Sequence, residues 1–163
     1  MMKEAIQTAI KMETDAISFY RDAAKKSKHP FAKEMFKGFT KDETRHLKML
    51  KSIFKGLDIQ AEFVRPKKTI KTVFTKLKGQ MMHRVEAIDD ELDAVSIAMK
   101  FEKEGFDFYN KTASRSDDKK EKKLFERLAV EENDHYSILS ETYDFLDNTG
   151  HWYMYEERGI VEG

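Results

Sequence analysis

Apolar residues recur along this chain at intervals of three and four, the spacing that gathers them on one face of an α-helix. The first stripe, Ile6, Ala9/Ile10, Glu13, Ala16/Ile17, Tyr20, Ala23/Ala24, predicts a helix from about Lys3 to Ala24. The second, Met35/Phe36, Phe39, Glu43, His46/Leu47, Leu50, Ile53/Phe54, follows His29-Pro30, where proline suits a first helical position, and Gly56 is its expected stop. The third runs Leu92, Val95, Met99, Glu102, Gly105/Phe106, Tyr109, Ala113, within roughly Ile88 to Ala113. The fourth is Leu124/Phe125, Leu128, Glu132, His135/Tyr136, Leu139, Tyr143, Leu146. Ser116 or Asp117 is its expected cap, and Asn148-Thr149-Gly150 its expected end.

Short connections make antiparallel hairpins of the first and second helices and of the third and fourth. Residues 57–87 are long enough to cross the length of a bundle, with a short helix expected over Ile70 to Leu77. This crossover is basic, with Arg65, Lys67, Lys68, Lys71, Lys76 and Lys78. The run reads either as a solvated face or as a docking patch for an acidic electron-transfer partner. The fold expected is all-α: an antiparallel four-helix bundle over residues 1–148, with 57–87 as a long crossover between the second and third helices. A tail follows over 149–163, and its Trp152, Tyr153 and Tyr155 are expected to pack on the bundle or on a dimer mate.

The two hairpins repeat each other at an offset of 89. Ala9, Lys11, Glu13, Phe19, Tyr20 and Ala24 match Ala98, Lys100, Glu102, Phe108, Tyr109 and Ala113. Lys33, Phe36, Glu43, His46 and Leu50 match Lys122, Phe125, Glu132, His135 and Leu139 without a gap. Such a duplication predicts a pseudo-two-fold axis with matching residues facing each other.

Composition narrows the chemistry. The 30 Lys+Arg balance 30 Asp+Glu, which argues against a nucleic-acid binder that relies on excess positive charge. With 7 Gly and 2 Pro, the chain lacks the punctuation of a strand-and-turn protein. Absence of cysteine excludes disulfides, thiolate nucleophiles and iron–sulfur ligation. No apolar run approaches ~18 residues, so no spanning helix and no membrane partner are expected. The N-terminal MMKEAIQTAIKMETD meets acids too early for a signal peptide, and a cytoplasmic location is expected.

Polar residues interrupt the apolar stripes at six points: Glu13, Glu43, His46, Glu102, Glu132 and His135. A single Glu in a stripe is ordinarily a boundary residue, and a single His a satisfied core residue. Four inward carboxylates in one core are a different matter, because each costs several kcal/mol when unpaired or else takes up a proton. Glu43-Thr44-Arg45-His46 and Glu132-Asn133-Asp134-His135 are both Glu-x-x-His, whose two ligating groups share a helix face. Each motif lies 30 residues after an inward Glu, and each such Glu lies seven before an inward Tyr.

One Glu from each of two helices plus Glu-x-x-His from each of the other two is the known pattern of ferritin-like di-iron and di-manganese sites, and the match is to that pattern. The four carboxylates also balance two divalent ions. Oxygen and nitrogen ligands without sulfur suit iron or manganese, and zinc could be held without redox activity. Tyr20 and Tyr109 need hydroxyl partners if buried, and a ligand Glu would serve; plain packing is the other reading. Ligand histidines usually donate their outer nitrogen to a carboxylate. Asp42 and Glu131, again 89 apart, could each reach the opposite histidine or stay exposed. His29, His83 and His151 show no such pattern.

At these residues the chain resembles the rubrerythrin branch of the ferritin-like superfamily, over about 1–148 without the crossover. The resemblance implies a non-haem di-iron carboxylate site that reacts with hydrogen peroxide or dioxygen and cycles between diferrous and diferric states. It implies that Glu43 and Glu132 bridge or chelate, that Glu13 and Glu102 are terminal or bridging, and that His46 and His135 each cap one iron. The best-known rubrerythrins also carry a rubredoxin-like domain with Cys-x-x-Cys pairs. This chain has no cysteine, so its electron donor is expected to be a separate, rubredoxin-like protein. Those relatives place a further Glu three residues after the third-helix ligand. Here that position is Gly105, and its repeat mate is Ala16, which leaves space for a small oxidant.

Three functions follow as expectations: a peroxidase or oxidase, expected as a homodimer; a ferroxidase and iron store or carrier of ferritin type; or a non-catalytic bundle stabilised by metal or a subunit of something larger.

Overall fold

A computed structural model describes residues 2–57, 64–81 and 89–149. Its helices are α1 (Lys3–Lys26), α2 (Pro30–Phe54), α3 (Pro66–Met81), α4 (Asp89–Arg115) and α5 (Lys119–Asp144), followed by a wide π turn over Phe145–Thr149. No strand occurs among the described residues. The protein is an all-α, ferritin-like bundle in which α1 pairs with α2 and α4 with α5, while α3 packs against α2 and α5. The tail aromatics, His83 and His151, and the side chains of Lys76 and Lys78 lie outside what is described.

The helix ends follow local chemistry. His29 caps α2, its Nδ1 accepting from the Phe31 N–H at 3.2 Å, and Pro30 fills the first helical position, where no N–H is needed. The repeat mate of His29 is Asp118, and it caps α5 by accepting from the N–H groups of Lys120 and Glu121 at 2.8 and 3.0 Å. The cap is therefore Asp118 and not Ser116 or Asp117. The Ser116 N–H is already bonded to the Ala113 carbonyl, closing the end of α4. Gly56 stops α2 with φ of 73°, a conformation in which a side chain would be strained.

The crossover helix is longer than Ile70 to Leu77 and begins at Pro66. Among its described side chains Pro66 and Ile70 are buried, and Ile70 and the partly buried Val73 pack on the core.

The core divides into two clusters related by the repeat. One contains Ala24, Tyr20, Met35, Phe36, Val95, Ala98, Ile138 and Leu139. The other contains their mates at the 89-residue offset: Ala113, Tyr109, Leu124, Phe125, Ile6, Ala9, Met49 and Leu50. Ring geometry repeats as well. Tyr20 stacks on Phe36 with centroids 5.9 Å apart, and Tyr109 on Phe125 at 6.1 Å. At about 1.5–3 kcal/mol for each large apolar side chain fully buried, these two clusters supply most of the driving force for folding. The six polar residues lie in the layer between them.

Candidate metal centre

Glu13 comes from α1, Glu43 and His46 from α2, Glu102 from α4, and Glu132 and His135 from α5. All six are between 0 and 4% exposed. They form two overlapping sets whose ligating atoms lie within 4.8 Å of one another. Glu13, Glu43, His46 and Glu132 make one set; Glu43, Glu102, Glu132 and His135 make the other, so Glu43 and Glu132 belong to both. His46 Nδ1 lies 3.5 Å from both Glu13 and Glu43 and 3.3 Å from Glu132. His135 Nδ1 lies 3.0 Å from Glu43 and 3.2 Å from Glu102.

The outer nitrogens face away from this cluster. His46 Nε2 is 3.0 Å from Glu131 Oε1, and His135 Nε2 is 2.9 Å from Asp42 Oδ2. An ionised carboxylate only accepts, so each Nε2 carries the proton and each Nδ1 is turned to the centre. Each contact joins a histidine of one hairpin to a carboxylate of the other. The tyrosines cross in the same manner. Tyr20 of α1 donates to Glu102 of α4, and Tyr109 of α4 donates to Glu13 of α1.

Burial and neighbouring charges act together on the protonation of this layer. Burial, then the neighbouring Glu43, pushes Glu13 up to about 8. Burial and the Glu102 charge hold Glu132 well above the usual carboxylate range. Burial works against a charged His46, but Glu13 and Glu43 outweigh it and raise its pKa well above the ordinary value. Burial likewise opposes the charge on His135, and Glu102 and Asp42 more than offset it. Burial would also raise Asp42 and Glu131, yet their histidine and Arg45 partners hold both below the usual range. Both tyrosines are pushed well up by burial and adjacent carboxylates, so they remain hydroxyl donors.

The residues fit a pair of cations. Glu13 Oε2, Glu102 Oε2 and His46 Nδ1 are buried and have no hydrogen-bond partner, an arrangement that costs about 1–3 kcal/mol per group. Four carboxylates and two imidazoles form an oxygen–nitrogen donor set suited to iron or manganese.

Between α1 and α4 a cavity of about 160 Å³ reaches this layer. Ala16 and Gly105 border it, along with Glu13, Glu43, Glu102 and Glu132. A Cβ added at Gly105 would touch the Glu132 side chain at 3.6 Å, an ordinary contact, so a small side chain fits there.

Two arginines are absent from the sequence reading of this centre. Arg45 Nη2 donates to both Asp42 Oδ1 and Glu131 Oε1, each at 2.8 Å, and so ties together the carboxylates that hold the two histidines. Its repeat mate is Asp134, which is buried and held by Arg65 through two bonds of 2.9 and 3.0 Å. Arg65 is thus anchored to α5 next to His135 and is not simply a solvated crossover residue. The readable signal was the charge reversal between Arg45 and Asp134 in otherwise matching motifs. Glu91, also buried, accepts from the N–H groups of Lys28 and His29 and ties the α1–α2 turn to α4.

Comparison with known proteins agrees with the architecture. Residues 4–143 match the Rubrerythrin family, and the chain belongs to that family, whose matched region is a ferritin-like di-iron domain. A hypothetical protein from Pyrococcus furiosus has a similar structure, with a TM-score of 0.67 at 24% identity over 90% of each chain, which shows the shared fold. No curated protein matches the chain. Among the described residues no helix is long and apolar enough to cross a membrane.

Proposed function

We propose that this protein is a non-haem di-iron carboxylate redox enzyme that reduces hydrogen peroxide, or dioxygen, with electrons from a separate donor protein. The residues that would hold the irons are Glu13, Glu43, His46, Glu102, Glu132 and His135. Glu43 and Glu132, common to both sets, would be shared between the two ions. Bound iron would supply one electron per ion, matching the two electrons that convert peroxide into two waters.

The observation that carries this reading is the cavity beside Ala16 and Gly105. It places room for a molecule of a few atoms against all four carboxylates, and its walls include the apolar faces of Met12 and Phe101. The chain's own side chains do the positioning. Tyr20 and Tyr109, fixed as donors, orient Glu102 and Glu13. Glu131 and Asp42 fix the imidazole planes and direct Nδ1 inward. Gly105 keeps the space next to Glu132 open.

The experiment is anaerobic loading with Fe(II), followed by stopped-flow mixing with peroxide and with O₂ in turn. Faster oxidation by peroxide, without mineral, is expected. Preference for O₂ with deposition of ferric mineral in a many-subunit shell would make the protein an iron store instead.

A further inference from the structure

The 89-residue repeat exposes an asymmetry that the centre does not use. From Lys41 to Leu57 every exposed charged residue is a lysine: Lys41, Lys48, Lys51 and Lys55. The only acids in that stretch, Asp42 and Glu43, are turned to the histidines and the centre. The mates of these lysines on α5 are Val130, Ser137, Ser140 and Asp144, so the equivalent face of the other hairpin carries no positive charge. The described crossover adds Arg65, Lys67, Lys68 and Lys71, with no acid from Val64 to Thr75. Because Arg65 is bolted to Asp134 beside His135, this basic segment starts over the α2–α5 seam.

Arg45 emerges at that same seam. It lies four residues after Lys41 and three before Lys48, hence on one stripe of α2 with both. Its side chain is 20% exposed. Inward of it Glu131 lies at 2.8 Å, and His46 Nε2 is 3.0 Å from the same carboxylate oxygen. The cavity opens on the other pair of helices, between α1 and α4.

We propose that the lysine face of α2 and the start of α3 is the docking surface for a small acidic electron-carrier protein, which delivers electrons at the Arg45–Glu131–His46 edge while the oxidant uses the α1–α4 cavity. This rests on the function proposed above. Each carrier molecule is oxidised by one electron, and two such encounters balance H₂O₂ + 2e⁻ + 2H⁺ → 2H₂O. On a protein of zero net charge, a cationic face steers an anionic partner to that side and orients it there. The patch lies two hydrogen bonds from a ligand imidazole, a placement with a purpose for a redox partner and none for a nucleic acid or a lipid surface.

The test uses a triple variant, Lys41→Glu/Lys48→Glu/Lys51→Glu, with Lys122→Glu/Lys123→Glu on α5 as control and thermal melts to verify folding. An acidic rubredoxin serves as the probe. Calorimetry on the zinc-loaded protein should give binding that weakens with salt and falls about tenfold or more in the triple variant but not in the control. Basic cytochrome c should not bind. With the iron-loaded ferric protein, reduction by the probe should slow by a similar factor in the triple variant, while reduction by neutral hydroquinone stays unchanged. Equal binding by wild type and triple variant overturns the proposal. So does a wild type that ignores the probe but binds single-stranded DNA or anionic vesicles through these lysines. A protein that fails to turn over peroxide even with hydroquinone refutes the enzymatic reading instead, and the zinc-loaded binding still decides the docking surface.

Discussion

The Tyr20 hydroxyl on α1 donates its hydrogen bond to the Glu102 carboxylate on α4. The same bond runs in the opposite direction from Tyr109 to Glu13, so each hairpin braces a carboxylate of the other. Removing one brace leaves a buried carboxylate oxygen without its donor. Tyr20→Phe should cost about 1–3 kcal/mol of metal-free stability, and Tyr109→Phe a similar amount. Urea unfolding of the two variants measures this, and unchanged midpoints would show that the hydroxyls do not brace the site.

The outer carboxylates should matter through the histidines they hold. Asp42→Asn and Glu131→Gln each weaken the acceptor at an imidazole Nε2. Metal affinity should fall about 10–100-fold in each variant. Titration with Co(II) against a competing chelator, read from the visible absorption bands, gives the two affinities directly.

Without metal, stability should fall as pH rises from 6 to 8. Glu13, raised to about 8, and Glu132 bind protons in the folded state that the unfolded chain has released above about 4.3. His46 and His135, also raised, keep protons that the unfolded chain loses through about 6.5. All four therefore favour folding at low pH and lose that contribution as pH passes through their folded values. Asp42, Glu43 and Glu131 are lowered, so their contribution is already complete by pH 6 and is lost only under more acidic conditions. Melting temperature of the metal-free protein should drop over this interval. Bound divalent metal displaces the same protons, so its affinity should rise with pH.

The cavity makes a graded prediction at one position. Gly105→Ala adds a Cβ at ordinary contact distance from Glu132 and should be tolerated. Gly105→Glu extends into the space beside the carboxylates and should change the rate of oxidation by peroxide while the circular dichroism spectrum stays helical. Equal rates for wild type and both variants would mean that the oxidant reaches the centre elsewhere.

Much of this organisation was legible in the sequence because a helix converts spacing into direction. Glu13, Glu43, His46, Glu102, Glu132 and His135 announce themselves as polar residues at apolar phase, and the fixed offset of 89 pairs the elements before any coordinates exist. The offset also paired Asp42 with Glu131, which identifies the outer partners of the histidines. Arg65 and Asp134 were less legible, since their contact depends on where the crossover lies, and α3 has no repeat mate to place it, while Arg45 stands at an intervening position of its Glu-x-x-His motif, off the inward stripe. The cap at Asp118 was missed because three polar residues, Ser116, Asp117 and Asp118, are chemically competent in a row. Which of them caps is decided by where the last turn of α4 closes.

The central claim is that six side chains, and not the fold alone, hold two metal ions. Equilibrium iron stoichiometry under anaerobic conditions tests it most directly, comparing wild type with Glu43→Ala/Glu132→Ala. These two carboxylates belong to both ligand sets, so their loss removes two of the three acids from each. Wild type should bind two Fe(II) per chain, and the double variant should fail to bind two while remaining helical. Retention of two irons per chain by the double variant would contradict the assignment.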